Sequence, residues 1–405
     1  MEAPLTQRGR AVLALGLLVY VVAWVFGARA LYPVAAGLVF AVALAAGWVR
    51  LSSRAPYVRR HGAARDTVEG DDVRVELEVE PTSTLPPPTL VAHEVPGRLG
   101  ERRVELVRVA RGRFTGRYEL RRVPRGRYPF ETVRLTVEDP FGLARAEIVQ
   151  GEAQALVVYP RLVTVERPFF TGGVRAQEGR RLLLRRPSGF DLHSVREHAP
   201  GESLRNVHWR STAHRGQLMV KELEDAPRDE TVVLLDGDAA AVVGTQPDST
   251  FDVAVRAAGS LLFAQVRGGR RCVLVVNSAA REVQRVTSEA GDWQRALEVL
   301  AAAEPTAATP AFALLESGVN PAARSLELVV VTSRVDARLV DRLVPRALSR
   351  HGVSLVYVEP ASFAGREARP EPLLLRLQAA GVPVAVVRRG ADLAAALSAP
   401  EAQVA

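Results

Sequence analysis

The sequence predicts two membrane-crossing helices, an antiparallel β-sandwich and a doubly wound α/β domain, in that order. Three observations predict it. The first fifty residues hold two long apolar runs. The next hundred alternate apolar and polar residues between Pro/Gly turns, as half-buried strands do. From residue 227 onward, short apolar runs alternate with helical stretches, the pattern of a parallel sheet covered on both faces. The boundaries that follow are 1–50 for a helical hairpin, 51–65 for a basic juxtamembrane linker, 66–165 for the sandwich, 166–226 for a polar connecting segment and 227–400 for the α/β domain.

The hairpin comes first. AVLALGLLVYVVAWVFG covers 11–27 and ALYPVAAGLVFAVALAAGWV covers 30–49. Each suffices to cross ~30 Å of hydrocarbon at ~1.5 Å per residue. Trp24, Tyr32 and Trp48 fall near the span ends, where amphipathic rings favour the interface. Arg8 and Arg10 precede the first span, Arg50, Arg54, Arg59 and Arg60 follow the second, and only Arg29 sits between them. The positive-inside rule then puts both termini and the soluble regions in the cytoplasm, at the cell membrane. The competing reading is a signal peptide cut after GARA at 27–30; a second apolar run directly after the first speaks against it. One cysteine, Cys272, excludes an intrachain disulfide and fits a reducing compartment. It lies in the run RCVLVVN, so core packing is its expected role.

In the sandwich region the strands are DVRVELEVE, RRVELVRVA, FTGRYELRRV, ETVRLTVED and AEIVQ. Short strands at this spacing suggest an immunoglobulin-like antiparallel sandwich. Residues 98–127 carry eleven arginines against three acids. That face reads either as a patch for anionic lipid headgroups or as a solvated strand surface. The net charge is +8, and almost all the positive charge is arginine, with Lys221 the sole lysine. Little aromatic interleaving in 98–127 argues against a nucleic-acid surface.

In the α/β region TVVLLD, CVLVVN, LELVVVTS, VSLVYVE and VPVAVVRR are the strands. Helices are expected at about 249–266, 292–303, 337–350, 371–380 and 391–398. DSTFD opens the first of them with a cap, and REVQRVTS makes an antiparallel edge hairpin. Ligands of such sheets sit beyond the carboxyl ends of the strands, at the switch point. There the sequence places Asp236, Asp238, Thr309 and the pair Thr332-Ser333. An oxygen-rich set of this kind suits a hard cation, Mg²⁺ first. The structural alternatives are a turn acceptor for Asp236 and a helix N-cap for Thr309 before Pro310.

The segment SGFDLHSVREHAPGESLRNVHWRSTAHRGQLMVKELE, at 188–224, is dense in charge and carries several histidines. His198, His208 and His214 with Glu197 and Glu202 suggest acid–base or metal chemistry, but their spacing forms no i, i+4 metal pair, and the chain has no G-x-S-x-G and no phosphate-cradling loop. The structural reading is stronger. Pro200-Gly201 makes a turn, Ser203 caps a helix at about 204–214, Trp209 supplies a buried plate, and Arg196, Arg205 and Lys221 pair with Glu197, Glu202 and Glu222. QLMVKELE then forms a strand. Such a charged seam would join the sandwich to the α/β domain, with a partner-docking role open to part of its surface.

This segment carries a resemblance. Together with RGRYPFETVRLTVEDPFGLARAEI and ALVVYPRL, it resembles the bacterial "domain of unknown function 58" family. The residues that match the family pattern are Arg196, Glu197, Pro200, Gly201, Glu202, Arg205, Trp209, Ala213, His214 and Lys221. Glu202 stands where aspartate is usual and His214 where arginine is usual. The α/β region is similar to a von Willebrand factor type A domain, whose metal loop reads Asp-x-Ser-x-Ser with a later threonine and aspartate. Here Asp236, Asp238 and Ala240 fall on that loop and Thr309 on the threonine; both serines and the later aspartate are missing. The resemblance implies a non-enzymatic, membrane-anchored scaffold working beside a MoxR-type AAA+ ATPase. The alternative is a metal-dependent hydrolase using Asp236 and Asp238.

Overall fold

The computed structural model describes residues 5–62, 67–83, 85, 87–109, 112–151, 153–170, 192–197, 209–223, 230–287, 291–316, 320–349, 351–367 and 371–399. The chain divides into two compact units, Met1–Tyr159 and Pro160–Ala405. Each is described by itself.

The first unit opens with helices α1 (Gln7–Phe26) and α2 (Tyr32–Ser52), joined by a 3₁₀ turn at Arg29–Leu31. Gly27 ends α1 in the left-handed region (φ 65°), which glycine adopts at no steric cost. Both helices are long and apolar enough to cross a membrane. They pack closely at Gly16 of α1, where an added Cβ would stand 3.1 Å from Val39 Cγ2 and 3.2 Å from Leu38 Cβ of α2.

Ten strands follow: β1 (Tyr57–His61), β2 (Thr67–Val68), β3 (Val73–Glu80), β4 (Thr89–Glu94), β5 (Arg102–Arg108), β6 (Phe114–Leu120), β7 (Gly126–Phe130), β8 (Val133–Glu138), β9 (Arg145–Gln150) and β10 (Gln154–Tyr159). An antiparallel half-barrel has the order β1-β3-β6-β5-β4-β8-β9, and a second sheet the order β2-β10-β7. The five predicted strands are all present. The residues expected to form a basic linker, however, contain β1, which pairs with β3 from Tyr57↔Glu80 to His61↔Glu76. The reason is Arg60. It reaches inward to Glu94 on β4, whose side chain is fully buried; Arg60 Nε donates to Glu94 Oε1 at 2.7 Å and Tyr118 Oη donates to Oε2. The Arg60 guanidinium also lies 4.7 Å above the Phe130 ring. A buried carboxylate paired and hydrogen-bonded in this way holds a strand that composition alone would leave in solvent.

The β-domain also grips the hairpin. Asp139 is buried and accepts backbone N–H bonds from Phe141 (2.9 Å), Leu143 (2.6 Å) and Ala144 (2.6 Å), so the DPFGLA stretch becomes a fixed turn. That turn receives the start of α1. Thr6 caps the helix, accepting from Gly9 N at 3.0 Å, and its own N–H donates to Leu143 O at 3.1 Å. Gly9 packs so closely that an added Cβ would stand 2.0 Å from Leu143 O. Val42, Ala45 and Val49 of α2 join Leu77, Leu90, Leu135, Val137 and Ile148 in one apolar core.

The second unit begins earlier than the sequence suggested, because residues 160–165, assigned to the sandwich, belong here. Val163 and Val165 pack on the α/β core, and Val163 N donates to Ser260 Oγ at 3.0 Å. A two-stranded ribbon comes next: β11 (Leu192–Glu197), helix α3 (Trp209–Arg215) and β12 (Met219–Leu223), with β11 antiparallel to β12. The main sheet holds β13 (Thr231–Asp236), β14 (Cys272–Asn277), β15 (Val283–Val286), β16 (Glu327–Thr332), β17 (Gly352–Val358) and β18 (Val384–Val387). Its order is β15-β14-β13-β16-β17-β18, parallel throughout except for β15.

The helices are α4 (Thr250–Arg267), α5 (Gly291–Ala302), α6 (Phe312–Glu316), α7 (Pro321–Arg324), α8 (Ala337–Leu348), α9 (Pro360–Phe363), α10 (Pro372–Ala379) and α11 (Leu393–Leu397). Val233 and Leu235 of β13 face one core with α4, α5 and α11; Val232 and Leu234 face another with α6, α7, α8 and α10. Alternate residues of one strand thus feed two cores, as a doubly wound sheet requires. The expected cap of α4 is a full capping box between Ser249 and Asp252.

Two predictions follow from packing. Gly9→Ala should lower the melting temperature of the detergent-solubilised chain, because overpacking against backbone costs about 1–3 kcal/mol, or roughly 2–4 °C for each kcal/mol in a unit of this size. Gly37→Ala, where a Cβ meets nothing within 4 Å, should not; calorimetry compares them. Cys272 is 1% exposed, and burial with the Glu327 charge nearby pushes its thiol up to about 12. A thiol reagent at mildly alkaline pH should leave the native chain unmodified and label it after denaturation.

Candidate functional site

Chain order reverses between β13 and β16, so the crevice of the α/β sheet lies beyond their carboxyl ends. Asp236 is the last residue of β13, Asn277 of β14 and Thr332 of β16. The parallel registers put Asp236 opposite Asn277 on one side, and Leu235 opposite Val331, one residue before Thr332, on the other. Three polar ends therefore meet.

Asp236 is 6% exposed and fully engaged. Its Oδ1 accepts from Asn277 Nδ2 at 2.8 Å and from Asp238 N at 3.2 Å; its Oδ2 accepts from Thr332 Oγ1 at 2.7 Å. Burial pushes the Asp236 carboxyl above the usual carboxylate range, against the pull of the bonds from Asn277 and Thr332. Asn277 Nδ2 also donates to Thr309 O at 2.8 Å, which draws a third loop to the same point. Gly237 is required by that convergence, since a Cβ there would stand 2.3 Å from Asn277 O.

Asp238 follows with 4% of its side chain exposed. Its Oδ1 accepts from Ala240 N at 3.0 Å, capping a 3₁₀ turn at Ala239–Ala241, and its Oδ2 pairs with Arg334 Nη1 at 3.2 Å. Ser333 Oγ donates to Ala241 O at 2.9 Å. The loops after β13 and β16 are thereby joined by three side-chain bonds, from Thr332, Ser333 and Arg334.

The residues do not fit a bound cation. Both carboxylates are turned to donors of the chain, and a guanidinium already faces Asp238. Thr309 is exposed, and it contributes its backbone carbonyl to Asn277 rather than a ligand hydroxyl. Among the described residues no group of three or more His, Cys, Asp or Glu is placed to hold a metal ion. The sequence reading located Asp236, Asp238, Thr309, Thr332 and Ser333 at the crevice, but it missed Asn277 and Arg334. Asn277 had a signal: it ends CVLVVN as Asp236 ends TVVLLD, at the same level of a parallel sheet. Arg334 follows Thr332-Ser333 directly, at the place where the fold admits a ligand.

The second candidate region is the ribbon. Backbone register sets Arg196 opposite Val220, Glu197 opposite Met219, and Lys221 opposite Val195. Pro200, Gly201, Glu202, Ser203 and Arg205, and with them the expected cap and ion pairs, lie outside the described residues, as do His198 and His208. Ala213 and His214 are exposed on α3. Trp209 corrects the expectation of a buried plate: it is 68% exposed at the first position of α3. Residue type suggested burial, but α3 is two turns long and inserts no apolar face; Thr212 Oγ1 instead accepts from Met219 N at 3.0 Å, closing the helix onto β12.

An α/β unit with a preceding ribbon, and with a crevice filled by its own side chains, is thus the class of domain present. Residues 194–360 match the family model described as "Protein of unknown function DUF58", which takes in most of the ribbon and the sheet through β17. The "Uncharacterized protein YeaD" of Bacillus subtilis (strain 168) is 29% identical over 230 residues, 55% of this chain; the chain spans about half of that relative, 54%. Solved structures give weaker likenesses. The PilB minor pilin from Streptococcus sanguinis covers 76% of this chain and 84% of its own, at 9% identity and a TM-score of 0.27. Cwp6 from Clostridium difficile covers 84% and 52%, at 9% identity and a TM-score of 0.15. Scores this low carry no argument about the fold.

The hydrogen bonds at Asp236 make a specific prediction. Asp236→Asn keeps an acceptor toward Asn277 and offers Thr332 a donor, while Thr332 Oγ1 already reaches Arg334 O at 3.0 Å. It should fold with near-native stability. Asp236→Ala strands buried donors and should cost about 1–3 kcal/mol. The pH dependence has a definite sign. A folded pKa raised above the unfolded value makes Asp236 contribute stability below the unfolded pKa and lose it as pH rises through the folded one. Asp236→Asn should remove that decline from a melting-temperature profile.

Proposed function

We propose that the chain is a membrane-anchored scaffold or adaptor that presents its soluble units in the cytoplasm and works with a MoxR-type AAA+ ATPase in assembling or maturing another protein or complex. The observation that carries this reading is Trp209: a large aromatic left 68% exposed on a short helix, inside the segment that matches the family model. Tryptophan is the residue most enriched at binding hot spots, and its exposure favours an occupant of protein character.

Other features support the reading. The paired apolar helices and their arginine flanks favour a two-span anchor with cytoplasmic termini, in contact with membrane lipid. The sheet order with one antiparallel edge strand agrees with a von Willebrand factor type A-like domain. The filled crevice speaks against the alternative, a metal-dependent hydrolase, because Asp236 and Asp238 already accept from Asn277, Thr332 and Arg334 of the chain itself. Nucleic acid is not an expected partner.

The experiment is purification of the tagged full chain from native membranes in mild detergent, followed by identification of co-purifying proteins. The expected result is a AAA+ ATPase whose recovery falls at least tenfold with Trp209→Ala, the variant retaining the wild-type melting temperature. Recovery of no ATPase, or equal recovery with both chains, overturns the proposal.

A further inference from the structure

We propose that Arg334 is a built-in cation: its guanidinium holds, as a covalent part of the chain, the place beside Asp238 that an acidic switch-point pair would otherwise fill with a divalent ion. The crevice is then a metal-independent lock between the loops after β13 and β16.

The argument begins with electrostatics. Asp236 and Asp238 are two residues apart and 6% and 4% exposed. Two carboxylates so close in a poorly solvated place need positive charge or strong donors. Asp236 takes neutral donors, the Asn277 amide and the Thr332 hydroxyl. Asp238 takes the charge, at 3.2 Å from Arg334 Nη1.

The guanidinium is positioned, not merely near. Arg334 N donates to Thr332 Oγ1 at 3.0 Å, and Thr332 Oγ1 reaches Arg334 O at 3.0 Å, so the backbone that carries the arginine is fixed by the same hydroxyl that serves Asp236. The Arg334 side chain is 47% exposed, whereas that of its partner Asp238 is 4% exposed. Other charged groups of these loops have partners of their own, Asp248 with Arg256 at 3.6 Å among them. Asp336 caps α8 through Leu339 N at 2.8 Å, and Arg338 lies 5.5 Å above the Phe312 ring. Neither replaces Arg334 at Asp238.

Mg²⁺ keeps several of its waters and is held through one or two carboxylates, so a single freed carboxylate oxygen can serve it; at Asp238 Oδ2 the side chain that occupies that oxygen is Arg334. Removing its charge should convert the lock into a site. Arg334→Gln keeps the backbone bonds and frees Asp238 Oδ2. The test is the melting temperature of the full chain in detergent, titrated with Mg²⁺ and Mn²⁺ against EDTA. The wild type should show no saturable shift. Arg334→Gln should gain a saturable rise of several degrees, lost again in Arg334→Gln/Asp238→Asn.

Two results overturn the inference. One is a saturable shift in the wild type that Asp238→Asn abolishes. The other is a folded Arg334→Gln that answers to neither ion at tens of millimolar. Should Arg334→Gln fail to fold in EDTA, refolding yield with and without Mn²⁺ reads the same question: rescue by the ion supports the inference and no rescue sinks it.

Discussion

A carboxylate buried at the end of the central strand governs the α/β unit. Asp236 cannot sit 6% exposed unless its oxygens are satisfied. Its neighbours in the sheet are β14 on one side and β16 on the other, so the donors must come from the ends of both. Asn277 and Thr332 supply them, and the strands must then stop at one level. Gly237 lets the chain turn against Asn277, and Asn277 in turn holds the loop that carries Thr309. One acid thus dictates three strand ends and a loop. The shape of the crevice is its consequence.

How much of this was legible depended on whether the signal was local. The apolar strands of the parallel sheet, the capping box at Ser249 and the edge hairpin at Val283–Val286 are written in contiguous residues, and they stand where periodicity placed them. Strands β1, β2, β4, β7, β10 and β11 are not among those the sequence pattern predicts. Tyr57–His61 carries two arginines, and β7 contains Pro129; both owe their place to partners far along the chain, such as Glu94 for Arg60. The same division holds at the site. Asp236 and Asp238 follow a strand and were found, whereas Arg334 acquires its role only because β16 lies beside β13, almost a hundred residues away in sequence. Trp209 departs from expectation for the opposite reason: residue type suggests burial, and a two-turn helix offers a tryptophan no core of its own.

In the first unit the hairpin is not a tether. Asp139 shapes a turn that accepts the base of α1, and the half-barrel accepts Val42, Ala45 and Val49 of α2 into its own core. Arg60, inside the stretch expected to be a solvated linker, binds the buried Glu94 instead. Helices and β-domain are therefore one body. If the helices lie in a bilayer, the orientation of the β-domain toward that bilayer is set by packing rather than by linker length.

The choice of arginine at position 334 bears on what the crevice is for. A bound ion makes a loop contact conditional on ion supply, and a lysine can shed its proton when desolvated. A guanidinium does neither: it stays charged and presents a planar set of donors. Asp238 is matched with the one partner whose charge is independent of metal and of physiological pH. An enzyme of the metal-assisted kind needs an open coordination position at this point. The ring of bonds from Thr332, Ser333 and Arg334 closes this crevice from within instead, and ties the ends of β13 and β16 into one fixed surface.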